Sequence, residues 1–226
     1  VTLSQSNITF MKKLVIFVFY GTLLDTIADL AGATNYALTQ LGYPTHDTDT
    51  IRTFVGNGIN KLLERALPAN EQTEENVIRM RSYFVPYYDA HNADLSSSYP
   101  GIEVLLQRLQ DNGIEIAVAS NKYQEATTKL VKHYFPTIQF AEVLGQRENI
   151  PVKPHPTIVF DILNKTGIDK KEVLYVGDSG VDMQTAQNAE VDAIGVTWGF
   201  RSRSELEALH PLGIIDKAEE LMDYIN

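Results

Sequence analysis

An α/β fold, a doubly wound parallel sheet with an all-helical insertion, is what three features of the sequence predict. The first is the apolar run Leu14-Val15-Ile16-Phe17-Val18-Phe19-Tyr20, stopped abruptly by Gly21-Thr22. So short a run, rich in Val, Ile and Phe, fits a strand covered on both faces better than a surface strand or a bilayer span. The second is the texture after about residue 100, where helical and strand patterns alternate as crossover helices between parallel strands require. The third is a block between these two regions, roughly 25–95, with three helical patterns and no convincing strand.

Each element follows from local pattern. From Asp25 to about Leu41, Ile27, Leu30, Ala31, Ala37, Leu38 and Leu41 recur at helical spacing, and Gly42 supplies a stop. A second helical pattern runs from about Asp49 to Leu67, interrupted at Gly56-Asn57-Gly58, and a third from about Thr73 to Ala90. Ser96-Ser97-Ser98, then Tyr99-Pro100-Gly101, read as a hinge or linker out of this block. A helix over 101–112 ends at Asn112-Gly113, a strand over 114–119 runs into Ser120-Asn121, and a helix continues to about His133. A strand near 138–144 leads into a loop with Pro151, Lys153, Pro154 and Pro156. A helix over 157–166, strand 173–176, the turn Gly177-Asp178-Ser179-Gly180, a helix to Ala189, strand 192–196 and a last helix near 217–225 complete the chain. The most economical organisation is a core from 11–24 and 96–226, an all-helical insertion at 25–95, and an N-terminal extension at 1–10 with no assigned role.

Composition narrows the function classes. The 226 residues, 44% of them hydrophobic, suffice for a core. A formal charge of −10 argues against a nucleic-acid surface, which clustered Lys and Arg would mark. The absence of cysteine excludes a thiol nucleophile, a thiolate metal site and a disulfide framework. Met11-Lys12-Lys13 before an apolar stretch resembles the start of a signal peptide, but Gly21-Thr22-Leu23-Leu24-Asp25 interrupts the stretch, so Met11 reads as a natural start and the expected location is the cytoplasm, with no membrane partner.

Ligands of doubly wound sheets bind beyond the carboxyl ends of the strands. Four loops converge there: one with Val18, Tyr20, Gly21 and Thr22, one with Ser120 and Asn121, one with Lys153, and one with Asp178, Ser179 and Asp182. Taken singly these are unremarkable, since Ser120-Asn121 reads as a helix cap, Lys153 as a solvated loop lysine and Asp178 as a turn residue. Taken together they form a kit for phosphoryl transfer. Hydroxyl and backbone N–H groups hold phosphate oxygens, a lysine neutralises their charge, and a carboxylate pair holds Mg²⁺ through oxygen.

With these motifs in place, the chain resembles the haloacid dehalogenase-like hydrolases over essentially everything after residue 10, and within them it is similar to phosphoglycolate phosphatases with a helical cap on a Rossmann-like core. Gly21-Thr22-Leu23-Leu24-Asp25-Thr26 matches the tail of the first motif, Ser120-Asn121 the second, Lys153-Pro154-His155-Pro156 the third and Gly177-Asp178-Ser179-Gly180-Val181-Asp182 the fourth. Ile51-Arg52-Thr53-Phe54-Val55-Gly56-Asn57-Gly58, Leu62-Leu63-Glu64-Arg65-Ala66-Leu67 and Gly195-Val196-Thr197-Trp198-Gly199 resemble the phosphoglycolate phosphatase group in particular.

The resemblance implies a Mg²⁺-dependent phosphomonoesterase acting on a small phosphorylated metabolite. Thr22, Ser120, Asn121 and Lys153 would bind phosphoryl oxygens, and Lys153 would also neutralise the nucleophile. Asp178, supported by Asp182, and the backbone carbonyl of Tyr20 would ligate the metal, while Arg52, Gly56, Asn57 and Gly58 of the cap would face the leaving group. The pattern is broken at two positions. An aspartate nucleophile belongs where Val18 stands, and an acid/base aspartate where Tyr20 stands. Valine has no lone pair, and a phenol with a pKa of about 10 is a poor acid/base, so the chain as written is expected to be nearly inactive. Two alternatives stand beside a disabled phosphatase: a natural pseudo-enzyme that binds a phosphorylated metabolite or a protein partner, and a phosphosugar mutase relative, which needs the same nucleophile.

Overall fold

The computed structural model describes residues 11–55 and 58–225. Strand β1 (Leu14–Val18) is buried at every position. Its alternating side chains feed two separate cores, as a strand covered on both faces must. Val15, Phe17 and Phe19 face helices α5 (Ile102–Asp111) and α6 (Gln124–Tyr134) through Leu105, Leu109, Leu130 and Val131. Leu14, Ile16 and Val18 face α7 (Thr157–Thr166) and α8 (Gly180–Ala189) through Ile158, Val159, Ile162 and Met183. Burying each such side chain contributes about 1.5–3 kcal/mol, so this strand anchors the fold.

Among the described residues, six strands form one sheet. Beside β1 lie β4 (Glu115–Tyr123), β5 (Glu142–Gln146), β6 (Val173–Gly177), β7 (Asp192–Val196) and β8 (Gly213–Ile215), in the order β5-β4-β1-β6-β7-β8, with every neighbouring pair parallel. The order reverses at β1, with β4 on one side and β6 on the other. The crevice beyond a sheet's carboxyl edge therefore opens at the end of β1. This is the doubly wound α/β sheet that the sequence predicts.

The helical block comprises α1 (Ile27–Gln40), α2 (Thr48–Phe54), α3 (Ile59–Ala66) and α4 (Glu74–His91), which share a cluster of their own with Leu38, Ile51, Leu63, Met80 and Phe84 at its centre. The two chain segments that enter and leave the block pair with each other: β2 (Leu24–Asp25) runs antiparallel to β3 (Ser97–Ser98). Asp29 in the first turn of α1 tightens the crossing, accepting the N–H of Leu95 and Ser96 at 2.8–3.1 Å and the Ser96 hydroxyl.

Several elements differ from their sequence-based expectation. The serine linker is partly strand, because Leu24–Asp25 offers it a partner. β4 runs past Ala119 to Tyr123 with a register irregularity across Ser120-Asn121-Lys122, the kind of local bulge that re-aims side chains beside a site. The strand expected near 138–144 starts at Glu142, where the chain comes alongside Ala117. The last helix is a 3₁₀ helix over Ala218–Tyr224. Helix α9 (Arg203–Glu207) and β8 have no counterpart in the sequence reading.

Candidate active site at the end of the central strand

The loop after β1 turns sharply. Leu23 and Leu24 both donate their N–H to the Phe19 carbonyl at 3.0 Å, and Gly21 adopts φ +79° while donating to the Leu24 carbonyl at 2.9 Å. Glycine is required here twice. The positive φ disfavours any side chain, and a Cβ at position 21 would overlap the Asp178 carboxylate.

Asp178, directly after β6, is 2% exposed. Its Oδ1 accepts from the Thr22 hydroxyl at 3.2 Å and its Oδ2 from the Phe200 N–H at 2.9 Å. Asp182, on the first turn of α8, is equally buried and forms a capping box with Ser179. Its Oδ2 accepts the N–H of Asp178 and Ser179 at 3.2 and 3.1 Å and the Ser179 hydroxyl at 2.7 Å, and its Oδ1 accepts Lys153 Nζ at 2.7 Å. Burial and the adjacent Asp182 push the Asp178 carboxyl up to about 7, against the pull of the Phe200 N–H, Lys153 and Thr22. Burial disfavours the Lys153 ammonium, but Asp182 and the nearby Tyr175 and Asp178 outweigh it and hold the lysine protonated well above its ordinary value.

Lys153 precedes a cis peptide to Pro154 and is held by its main chain. The Asn121 side chain accepts the Lys153 N–H at 3.0 Å and donates to the Lys153 carbonyl at 3.2 Å. Asn121, expected from the sequence to bind phosphoryl oxygens, makes these two bonds to the Lys153 main chain with its side-chain oxygen and one of its two amide N–H groups. Ser120 is buried, and its Oγ accepts the Lys122 N–H at 3.1 Å. A cavity of about 10 Å³ touches Ser120, Asn121 and Lys153, room for about one water.

Val18 is buried against the α7–α8 side of the sheet. Tyr20 is half-buried, with its ring edge-on to Phe19 at 5.0 Å and its hydroxyl buried without a hydrogen-bond partner among the described residues. Burial, then the neighbouring Tyr88 phenol from α4, push that hydroxyl far above its ordinary value. Beside it, the Lys122 ammonium lies over three rings: 4.3 Å from the centroid of Tyr88, 5.5 Å from Tyr123 and 5.6 Å from Tyr20. Burial pulls this lysine down to about 8.

Arg52 on α2 lies close enough to Tyr99 to draw the phenol down against the stronger effect of burial. Gly58 caps α3 at φ +82°, and Gly56 and Asn57 lie outside the described residues. Sequence reasoning gave no role to Lys122, Tyr88 or Phe200, and quoted Trp198 only within the Gly195–Gly199 stretch. Trp198 Nε1 donates to the Thr22 carbonyl at 3.0 Å, and Phe200 reaches both the Asp178 carboxylate and the helical cluster.

The donor set falls short of a magnesium site. Both Asp182 oxygens are engaged, Asp178 supplies a single carboxylate, and Val18 offers no lone pair. Among the described residues no group of three or more His, Cys, Asp or Glu is placed to hold a metal ion.

A parallel sheet reversing at β1 carries a buried lysine–aspartate pair and a second buried aspartate at its carboxyl edge, where ligands of such sheets bind. The haloacid dehalogenase-like hydrolase family model matches residues 15–196, and the chain belongs to that family. It is 31% identical to the phosphoglycolate phosphatase of Psychrobacter arcticus, over 95% of this chain and 96% of that one, and 30% identical to the enzyme of the same name from Mannheimia succiniciproducens, over 94% and 98%. The crystal structure of a provisionally named phosphoglycolate phosphatase from Lactobacillus delbrueckii subsp. bulgaricus superposes with a TM-score of 0.90 at 34% identity, covering 96% of this chain and 99% of that one.

Proposed function

We propose that this chain is a phosphomonoester hydrolase of the phosphoglycolate phosphatase type whose chemical step is stopped at the end of β1. The carrying observation is the juxtaposition at that strand end. Lys153, Asp182 and Asp178 form a buried, hydrogen-bonded charge cluster, while Val18, in the nucleophile position, is packed as a core residue. The relatives' names point to a small phosphorylated metabolite, and the residues divide the work accordingly. The Ser120 hydroxyl and Lys153 ammonium take phosphoryl oxygens, Asn121 fixes Lys153, and Asp182 balances the lysine's charge. The helical block 25–95 acts as a cap over the core 11–24 and 96–226, with Arg52 and Gly58 toward the leaving group. With a carboxylate returned at position 18, that group, Asp178 and the carbonyl of residue 20 are the donors that would hold Mg²⁺, whose chemistry is to neutralise phosphoryl charge.

The test is the Val18→Asp, Tyr20→Asp double variant, assayed with 2-phosphoglycolate and p-nitrophenyl phosphate in Mg²⁺. Turnover is expected to rise roughly a hundredfold or more above the unaltered chain, since both a nucleophile and an acid/base are regained. A double variant that folds like the parent and gains no turnover overturns the reading. Transfer of the phosphoryl group within a sugar phosphate, instead of release of phosphate, would mark a mutase.

A further inference from the structure

Tyr175 is a tyrosine in surroundings that suit phenylalanine. It stands in β6 opposite Ile16 of β1 and Ala193 of β7, is fully buried, and belongs to the apolar cluster of Leu14, Val159, Ile162 and Met183. A ring without a hydroxyl would pack there equally well. The hydroxyl is buried and, among the described residues, has no hydrogen-bond partner. A buried polar atom left unsatisfied lowers stability, so its presence needs a reason outside the packing.

Its neighbours supply one. Burial pushes the phenol above its ordinary value, the Lys153 ammonium draws it back, and Asp182 and Asp178 add to the push, so all three charged groups lie within electrostatic reach of it. Lys153 is itself buried, and Asp182 Oδ1 at 2.7 Å is the one acceptor bonded to its ammonium among the described residues. An ammonium has three donors. A single bond leaves it free to swing about the Asp182 contact, and the grip of Asn121 ends at the Lys153 main chain. Asp182 has no second oxygen to offer, since Oδ2 is taken by the N–H groups of Asp178 and Ser179 and by the Ser179 hydroxyl. The unsatisfied hydroxyl beside the lysine is the acceptor that remains.

We propose that Tyr175 is a positioning residue for Lys153: its hydroxyl accepts a second N–H of the ammonium as a phosphoryl oxygen draws the third, so that the charge is held at three points. Hydrogen bonds around catalytic groups commonly tighten only when the reacting group is bound. This rests on the phosphatase reading and adds to it a residue that touches no substrate. A tyrosine kept for its ring alone makes the opposite prediction, in which Tyr175→Phe raises Tm and changes no kinetic constant.

In the Val18→Asp, Tyr20→Asp chain, kcat and KM for p-nitrophenyl phosphate in Mg²⁺ are measured with Tyr175 and with Tyr175→Phe, each with Lys153 and with Lys153→Arg, alongside thermal melts. With Lys153 present, Tyr175→Phe is expected to lower kcat roughly ten- to a hundredfold, the scale of a misplaced catalytic group. KM is expected to move less than about threefold, as for an interaction made in the transition state, and Tm is expected not to fall. With Lys153→Arg, whose planar fork bonds two acceptors at once and fixes its own direction, the same change is expected to alter kcat less than about threefold. A kcat unchanged within about twofold, an equal fall in the Lys153→Arg chain, or a fall accompanied by a lowered Tm overturns the inference, while turnover of p-nitrophenyl phosphate leaves the phosphatase reading standing. If the double variant shows no turnover that reading falls, and calorimetry with inorganic phosphate on the unaltered chain decides the role of Tyr175. An affinity that Tyr175→Phe weakens about tenfold sustains it; an equal affinity, or no binding, overturns it.

Discussion

Val18 and Asp178 show how much a few atoms decide at this site. Val18 sits where chemistry needs a lone pair and serves as core packing instead, while Asp178 keeps its hydrogen bonds at an electrostatic cost. Its carboxyl is pushed up to about 7 by burial and by Asp182, so the native state binds that proton more tightly than the unfolded chain, whose value is 3.8. The stability gained from protonation is fully present below the unfolded value and is lost as pH rises through about 7. Asp178→Asn is therefore expected to raise Tm at pH 8, with the difference shrinking toward pH 5 in thermal melts; an equal or lower Tm at pH 8 would contradict the assignment. At this scale the grouping of Lys153, Asp178 and Asp182 at one end of the sheet was legible in the sequence, because each lies in a loop, turn or first helical turn on the carboxyl side of an expected strand. The work of Asn121, Lys122 and Phe200 was not legible, because their partners are distant in the chain: Asn121 meets Lys153 32 residues on, and Phe200 meets Asp178 22 residues back.

The elements that frame the site are closely fitted. Gly199 lies between Asp178 and the Gly21 carbonyl, and a Cβ there would overlap both. Gly199→Ala is expected to cost about 1–3 kcal/mol, the usual penalty of overpacking against atoms that cannot yield, read as a lowered denaturation midpoint. The β2–β3 crossing depends on Asp29, and Asp29→Ala strands the N–H groups of Leu95 and Ser96 that it now satisfies. The expected loss is about 2–3 kcal/mol by the same measurement; a loss under about 0.5 kcal/mol would mean water replaces the carboxylate. The long amphipathic helices and the central strands were readable from periodicity. β2, β3 and β8 were not, because two- and three-residue strands carry no periodicity and exist only by virtue of the partner beside them. The 3₁₀ character of Ala218–Tyr224 is likewise invisible in a pattern that reads as one more helix.

Across the whole molecule, the stretch after β7 couples the two hydrophobic bodies. The Trp198 indole holds the first loop, the Phe200 N–H holds Asp178, the Phe200 side chain joins the helical cluster, and Arg201 donates to the Val55 carbonyl at the end of α2. On the other flank the Tyr123 hydroxyl reaches Asp89 of α4. Removing both ties with Arg201→Ala and Tyr123→Phe is expected to speed amide exchange in α2 and α4 while leaving β1 protected; uniform exchange across both bodies would show that the ties carry no special load. The architecture, a parallel sheet with a helical insertion, was legible at this scale from texture alone. The coupling was not, since it depends on which loop ends meet in space.

The paired crossing at β2 and β3 fixes what kind of motion that coupling opposes. A body tethered by two independent threads keeps most of its freedom to translate and twist. When the threads are bonded to each other at Leu24–Ser98 and Asp25–Ser97, and buttoned down by Asp29, those freedoms collapse toward rotation about one short axis. Displacement under such a rotation would grow with distance from the axis. A crossing of this kind would confine any relative movement of the helical block and the sheet to that one axis.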